Sequence, residues 1–408
     1  MNAKIWIIVI FLFISFLKVA LQWVHYRSAS NPIPENVSDV YDKDTYLKWQ
    51  SYHGENSRLS MLETLATTLV MTLFLVFDIH AKVAGLFSDG VFATVMAVVI
   101  FEMVVSTLLD IPFSYIRTMK IEEKYGFNRS TKSTFVKDII IGFVMGMALT
   151  FAIVFAIYGS HAWLGNYMAI LLSVILCAFV LIMNLLFPLL GRLQNKFTPL
   201  EEGSLRDKLT ALLTNHGYTV KDIQVMDASR RTTKSNAYFS GFGKEKRIVL
   251  YDTLLAAMDE DEICAVFAHE LGHGLHRDIP KLLGMNCINM IFTALLAWAV
   301  LAIPEIHTSF GFSSLNYGFA YSLLGSVALP LVSQLYGILT NAVSRRAEYK
   351  ADAQAHAEGY ADALVSGLKK LSRENFSHLS PSPLVVTLEY SHPTLSQRIS
   401  AIERLKKS

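Results

Sequence analysis

The sequence predicts an α-helical integral membrane protein of seven transmembrane helices, with a small α+β domain on its cytoplasmic side. Three observations carry this. Of the 408 residues, 52% are apolar and 17% charged, more apolar surface than a water-soluble core of this size can hide. Apolar runs long enough to cross a bilayer recur seven times. Lys and Arg collect in alternate loops. The formal net charge is +2, and no basic stripe of the kind a nucleic acid would need stands out. The three cysteines, Cys177, Cys264 and Cys287, are too scattered for a disulfide framework or a thiolate metal cluster.

The runs are Ile5–Val24, Met61–Phe77, Val91–Leu109, Ile139–Tyr158, Tyr167–Leu190, Leu282–Ile303 and Phe319–Val343. The first is too long for a signal peptide, and no clean small-residue cleavage site follows it. The loop after it holds Arg27, Lys43, Lys48 and Arg58, and the third loop holds Arg117, Lys120, Lys124, Arg129, Lys132 and Lys137. The second loop has only Lys82, and the fourth and sixth have neither Lys nor Arg. By the positive-inside rule the odd loops and the tail face the cytoplasm and the N-terminus faces out or toward a lumen. Glu102, Asn184, Asp110 and Lys18 fall in or near the runs, where the expectation is helix-to-helix hydrogen bonding or snorkelling rather than a water-filled cavity.

Four parts follow: a membrane part over 1–190 with five spans, a soluble part over 191–281, spans six and seven over 282–343, and a polar helical end over 344–408. In the soluble part, Leu205–His216 reads as an amphipathic helix, Tyr218–Met226 as a strand, Arg247–Tyr251 (RIVLY) as a second strand and Asp259–Arg277 as a helix opened by acidic residues. The C-terminal helices break around Pro381–Pro383.

The chemistry concentrates in AVFAHELGHGLHRD. His269 and His273 are four apart, which on a helix stacks both imidazoles on one face as two ligands of one zinc ion. Glu270, beside the first, is placed to take a proton from a water that zinc acidifies. Phe267, Leu271 and Leu275 give this helix an apolar side, while His276 reads as a capping or supporting group. A catalytic zinc needs a third protein ligand and an open position. SRRAEYKADAQA offers Glu348, with Asp352 one turn on to accept a hydrogen bond from a ligand imidazole; an ordinary charged helix end, with Arg345, Arg346 and Lys350, is the alternative. The expectation is thus a zincin-like α+β catalytic domain on the cytoplasmic side, with one Zn2+ per chain.

Together, HELGH and SRRAEYKAD resemble the gluzincin pattern. More closely, the chain resembles the type I CaaX prenyl proteases, through IEEKYGFNRST, NKFTPLEEGSLRDKL, SNAYFSGFGKEKRIVLYDTLL and SHPTLSQRI, with Gly274 where a larger residue would be expected. The resemblance implies that His269, His273 and Glu348 hold zinc and Glu270 is the general base. It also implies that His392 stabilises the oxyanion, that Arg398 lies at the site, and that Asn236 contacts the substrate backbone beside an edge strand. RIVLY is the expected edge, where an extended peptide could add as a further strand. The family's spans enclose a large chamber, and its eukaryotic members remove three residues from a prenylated C-terminus.

The partners implied are a lipid bilayer and a peptide or protein substrate, prenylated or not, with no nucleic acid. Alternatives are a quality-control protease acting on unlipidated or stalled membrane proteins, and a non-catalytic scaffold or channel. The host membrane is a bacterial inner membrane or an endoplasmic reticulum.

Overall fold

The structure is a computed structural model. It describes residues 3–87, 90–230, 232–234, 236–240 and 245–407, with side chains except at 187–194, 220–221, 238–240 and 245–247. Positions 235 and 241–244 of the SNAYFSGFGKEKRIVLYDTLL motif therefore lie outside the described residues.

Helices α1 (Ala3–Arg27) and α2 (Lys43–Val76) pack along each other, and short α3 (Ile79–Gly85) leads into α4 (Val91–Ile116). Asp42 caps α2, its carboxylate accepting the Thr45 N–H, so that α2 starts well before its apolar run and carries Trp49 and Tyr52 ahead of it. The chain leaves α4 through widened π-type turns over Arg117–Glu122. Next come α5 (Lys132–Leu164) and α6 (Met168–Gln194).

Among the described residues, six continuous helical stretches are long and apolar enough to cross a membrane. One, Lys132–Leu186, runs 55 residues and contains the fourth apolar run and most of the fifth. A straight helix of that length would span about 80 Å, far more than the ~30 Å hydrocarbon layer. It is broken at Gly165, where φ is 52°, and α6 folds back so that Met168 and Leu172 pack with Val154 and Ile157 of α5.

The soluble part opens with β1 (Phe197–Pro199), α7 (Ser204–Asn215) and β2 (Thr219–Met226), then β3 (Ala237–Ser240), β4 (Glu245–Tyr251), α8 (Asp252–Ala257) and α9 (Glu260–Leu275). The strand order is β1-β2-β4-β3. This corrects the expectation for RIVLY. β4 pairs in parallel with β2 on one side and antiparallel with β3 on the other, Ala237 opposite Leu250, so both of its hydrogen-bonding sides are used. The edges are β1 and β3, and Asn236 directly precedes β3.

After α9 the chain re-enters the membrane layer as α10 (Asp278–Ala302), with α11 (Pro304–Ser309) and α12 (Tyr317–Leu323) at its far end. It returns through α13 (Leu329–Ala357), whose last turns carry the buried Glu348 and Asp352, and ends in α14 (Ala361–Glu374), α15 (Pro383–Glu389) and α16 (Leu395–Leu405). Between α1, α2, α4 and the segment before α13 lies a cavity of about 530 Å³. Lys18, Glu63, Thr68 and Glu102 line it together with apolar side chains, and Glu102 Oε2 lies 3.3 Å from His80 Nε2 of α3, a helix-to-helix contact of the kind expected.

Candidate active site

Helix α9 is fixed before its functional side chains are considered. Asp259 and Glu262 form a reciprocal capping box at its start. The buried Glu262 carboxylate also accepts from Ser366 and Lys370, tying α9 to α14. One side of α9 (Cys264, Phe267, Leu271) enters the core under the sheet, and another (Ala265, Ala268) enters the core built by α14 and α16. The turn bearing Glu270 and His273 is only partly covered.

Gly272 sets the next relation. A Cβ there would stand 2.8 Å from the Cα of Ala351, so α9 and α13 cross at a separation that only a glycine allows. Glu348, one turn before Ala351, is thereby brought over both histidines. His269 Nε2 lies 3.4 Å from Glu348 Oε2 and His273 Nε2 lies 3.3 Å from Oε1. Behind the rings, His269 Nδ1 is 2.9 Å from Asp352 Oδ1, and His273 Nδ1 is 3.1 Å from Asp278 Oδ2. Arg398 Nη2 also approaches His269 Nδ1, at 3.2 Å, but its contact with Asp352 Oδ1 is shorter, 2.5 Å. We therefore place the proton on Nδ1, donated to Asp352, which leaves the Nε2 lone pair facing Glu348.

This donor set fits a metal ion. Donor atoms of His269, His273 and Glu348 lie within 4.8 Å of one another, the one such group of three or more among the described residues. Four ligands held tetrahedrally at zinc distances stand about 3.4 Å apart, matching the contacts above. Glu348 Oε2 is buried and accepts no hydrogen bond, an orphan acceptor that a cation would satisfy. Burial and Arg398 push the His269 pKa down, yet Asp352 and Glu348 outweigh them and hold it above the usual value. For His273, burial is likewise overcome, chiefly by Glu348, and the pKa rises to about 9. The site thus attracts positive charge, with protons and a metal ion competing for the same two Nε2 atoms.

The remaining expected residues distribute as follows. Glu270 is half-buried on α9, next to His269. His392, exposed in the loop before α16, reaches in so that its Nε2 is 3.3 Å from Glu348 Oε1, and Ser391 Oγ bonds its Nδ1 at 2.9 Å. Arg398 on α16 is partly buried, its Nε 3.0 Å from Asp352 Oδ2 and its Nη1 3.4 Å from Glu348 Oε2. It faces the protein's own carboxylates. Asn236 is exposed, its Oδ1 accepting from the Ala237 N–H. His276 ends α9, its Nδ1 at 2.7 Å from the Gly272 carbonyl, while Lys281 Nζ lies 3.1 Å from Asp278 Oδ1.

Two contributors went unmarked in the sequence reading. Asp278 closes the quoted AVFAHELGHGLHRD string, but between it and His273 the chain turns through Arg277 at φ 55°, so helical spacing cannot place it. Gly272 lies inside the motif, and its role depends on a helix some eighty residues away.

Comparison with known proteins follows the same two halves. Residues 22–192 match a family described as CAAX prenyl protease N-terminal, five membrane helices, and residues 199–406 match peptidase family M48. The CAAX prenyl protease 1 homolog of Oryza sativa subsp. japonica is 33% identical over 385 residues, covering 91% of this chain and 90% of that protein. The probable CAAX prenyl protease 1 of Schizosaccharomyces pombe is 34% identical over 407 residues, covering 92% and 83%. The crystal structure of S. mikatae Ste24p superposes with a TM-score of 0.91 at 26% identity, over 99% of each chain.

Proposed function

This chain belongs to peptidase family M48 and carries the CAAX prenyl protease N-terminal region, and from that premise we propose how its site cuts a peptide at the membrane. It is a multi-pass membrane metallopeptidase resembling the CaaX prenyl proteases. The metal we assign is one Zn2+, held by His269, His273 and Glu348, with Asp352 and Asp278 fixing the two imidazoles. When bound, zinc supplies Lewis acidity, lowering the pKa of water and polarising a carbonyl. Glu270 takes the proton of the attacking water and passes it to the departing amine. His392 donates to the oxyanion as the carbonyl carbon becomes tetrahedral. Arg398 holds Asp352 and Glu348 in place at the margin of the substrate site. Asn236 and the free edge of β3 receive the substrate backbone as an added strand.

The substrate class we propose is a protein C-terminus with a prenylated cysteine, cut so that the last three residues leave. We count seven crossings, α5 and α6 being two, and place the N-terminus outside or in a lumen with the zinc site toward the cytoplasm. The observation that carries the reading is the convergence of both Nε2 atoms on the buried Glu348, beside Glu270 and an open edge strand.

The test is product mass spectrometry on a farnesylated CaaX peptide and its unlipidated twin, with and without a zinc chelator. Chelator-sensitive loss of three residues from the lipidated peptide is expected. Cuts confined to the unlipidated twin would replace the prenyl substrate with the quality-control alternative. Intact peptides in both arms would count against peptidase activity of either kind.

A further inference from the structure

The segment leading into the edge strand β3 is anchored from two sides. On the protease side, Thr253 Oγ1 donates to the Lys234 carbonyl at 3.1 Å, and the Tyr251 N–H donates to the Asn236 carbonyl at 3.1 Å. On the membrane side, Thr232 forms an isolated antiparallel bridge with Asn128, and Thr233 Oγ1 donates to the Gly126 carbonyl at 3.3 Å. These partners belong to IEEKYGFNRST, a motif that none of the catalytic roles above uses.

The side chain of Lys234 completes the junction. Its Nζ lies 3.3 Å from the Tyr52 hydroxyl of α2 and 3.4 Å from Glu122 Oε1. It also stands 5.0 Å from the Phe127 ring centroid and 5.8 Å from that of Tyr52, within cation–π range of both faces. Tyr52 donates to the same Glu122 oxygen at 2.6 Å. Glu122 ends the π-type turns after α4, and its carbonyl accepts the Phe127 and Asn128 N–H groups at 2.8 and 3.2 Å, which shapes the loop under Lys234. One ammonium thus joins α2, the loop after α4 and the approach to β3.

We propose that Lys234 is a positioning residue for substrate. By tying the approach to β3 onto the membrane helices, it fixes where Asn236 and the β3 edge stand when a peptide pairs with them. The proposal rests on β3 being the strand that receives substrate. The tether is separable from folding: without the ammonium, Tyr52 and Glu122 keep their own bond, and the sheet keeps its ladder. None of these bonds involves His269, His273, Glu348 or Glu270.

The experiment compares the full-length wild type with Lys234→Met, Lys234→Arg and Asn236→Ala, each zinc-loaded, on the farnesylated CaaX peptide. Lys234→Met keeps an unbranched side chain of similar length and loses the charge over Phe127. It should raise KM about tenfold while kcat and bound zinc stay within about twofold, because a misplaced strand weakens docking and leaves the chemistry intact. Lys234→Arg should restore KM, since guanidinium can bond Glu122 and lie on the same rings. Amide exchange over residues 236–240 should quicken in Lys234→Met and stay unchanged in α9, a readout that needs no turnover. An unchanged KM and unchanged exchange in Lys234→Met, with KM raised in Asn236→Ala, would overturn the tether alone. An unchanged KM in Asn236→Ala would remove β3 as the substrate strand. Loss of zinc or of thermal stability in Lys234→Met, with kcat falling in step, would make Lys234 a structural residue only.

Discussion

The α9–α13 crossing and the cavity among the membrane helices both set polar side chains on helices, and they do so in opposite ways. At the crossing, groups converge: Glu348 faces His269, His273, His392 and Arg398 within 3.3–3.4 Å, and the imidazoles of His269 and His273 are each braced from behind by a carboxylate. In the cavity wall, hydroxyls spend their hydrogens on their own helix, and of Thr64 and Thr68 only the Thr64 oxygen also accepts across helices, from Gln22 Nε2 of α1 at 3.1 Å. Thr64 donates to the Ser60 carbonyl at 2.9 Å and Thr68 to the Thr64 carbonyl at 2.7 Å, each one turn back on its own helix. A site that must present one geometry needs mutually bonded charges with little freedom. A compartment that must only be wettable can be lined with self-satisfied groups, none of which has to be in one place.

Substitutions should separate the two regimes. The largest effect is expected from Glu270→Gln, which keeps shape and loses basicity. Turnover should fall by about 10³-fold or more while zinc content by metal analysis stays at one per chain. Full activity in this variant would remove Glu270 as the base. Next is Glu348→Ala. It takes a ligand away and leaves two imidazoles that cannot hold zinc tightly, so affinity in a chelator competition should fall more than about hundredfold. Undiminished affinity would move the third ligand elsewhere.

How far the sequence reaches follows the same division between local and distant causes. The apolar runs and the His269/His273 pair are legible because hydrophobic length and a four-residue spacing are properties of one segment. The break between α5 and α6 is only the three residues Gly165–Tyr167, so hydropathy alone barely divides a 55-residue helical stretch. RIVLY is legible as a strand because β-branched residues advertise one. Strand order, however, depends on where residues 237–240 pair, and no composition records that. Gly272 is necessary for a reason located on α13, and Asp278 is hidden behind a residue with positive φ.

Asp278 offers an intermediate case, because it touches a ligand without being one. Asp278→Asn keeps the volume but supplies a weaker partner for His273 Nδ1, and its amide can flip to favour the wrong tautomer. Zinc affinity should drop about ten- to hundredfold, with the fold intact by circular dichroism. Undiminished affinity would mean that Lys281, not His273, is the partner that keeps Asp278 in place.

The smallest effect is expected in the cavity wall, and it is where the contrast can fail. Thr68→Val keeps a β-branched side chain of nearly the same size and removes one hydroxyl. That hydroxyl spends its hydrogen on the Thr64 carbonyl, which as part of α2 already accepts from the backbone, so no acceptor is orphaned. Thermal stability should change by no more than about 0.5 kcal/mol, and kcat/KM by no more than about twofold. If Thr68→Val instead cut kcat as deeply as Asp278→Asn cuts zinc affinity, the cavity wall would have to be counted among the groups that orient the reacting peptide. A cavity wall whose threonine hydroxyls donate within their own helix can tolerate their loss one at a time only if its task is to admit water and chain, and this variant measures that tolerance directly.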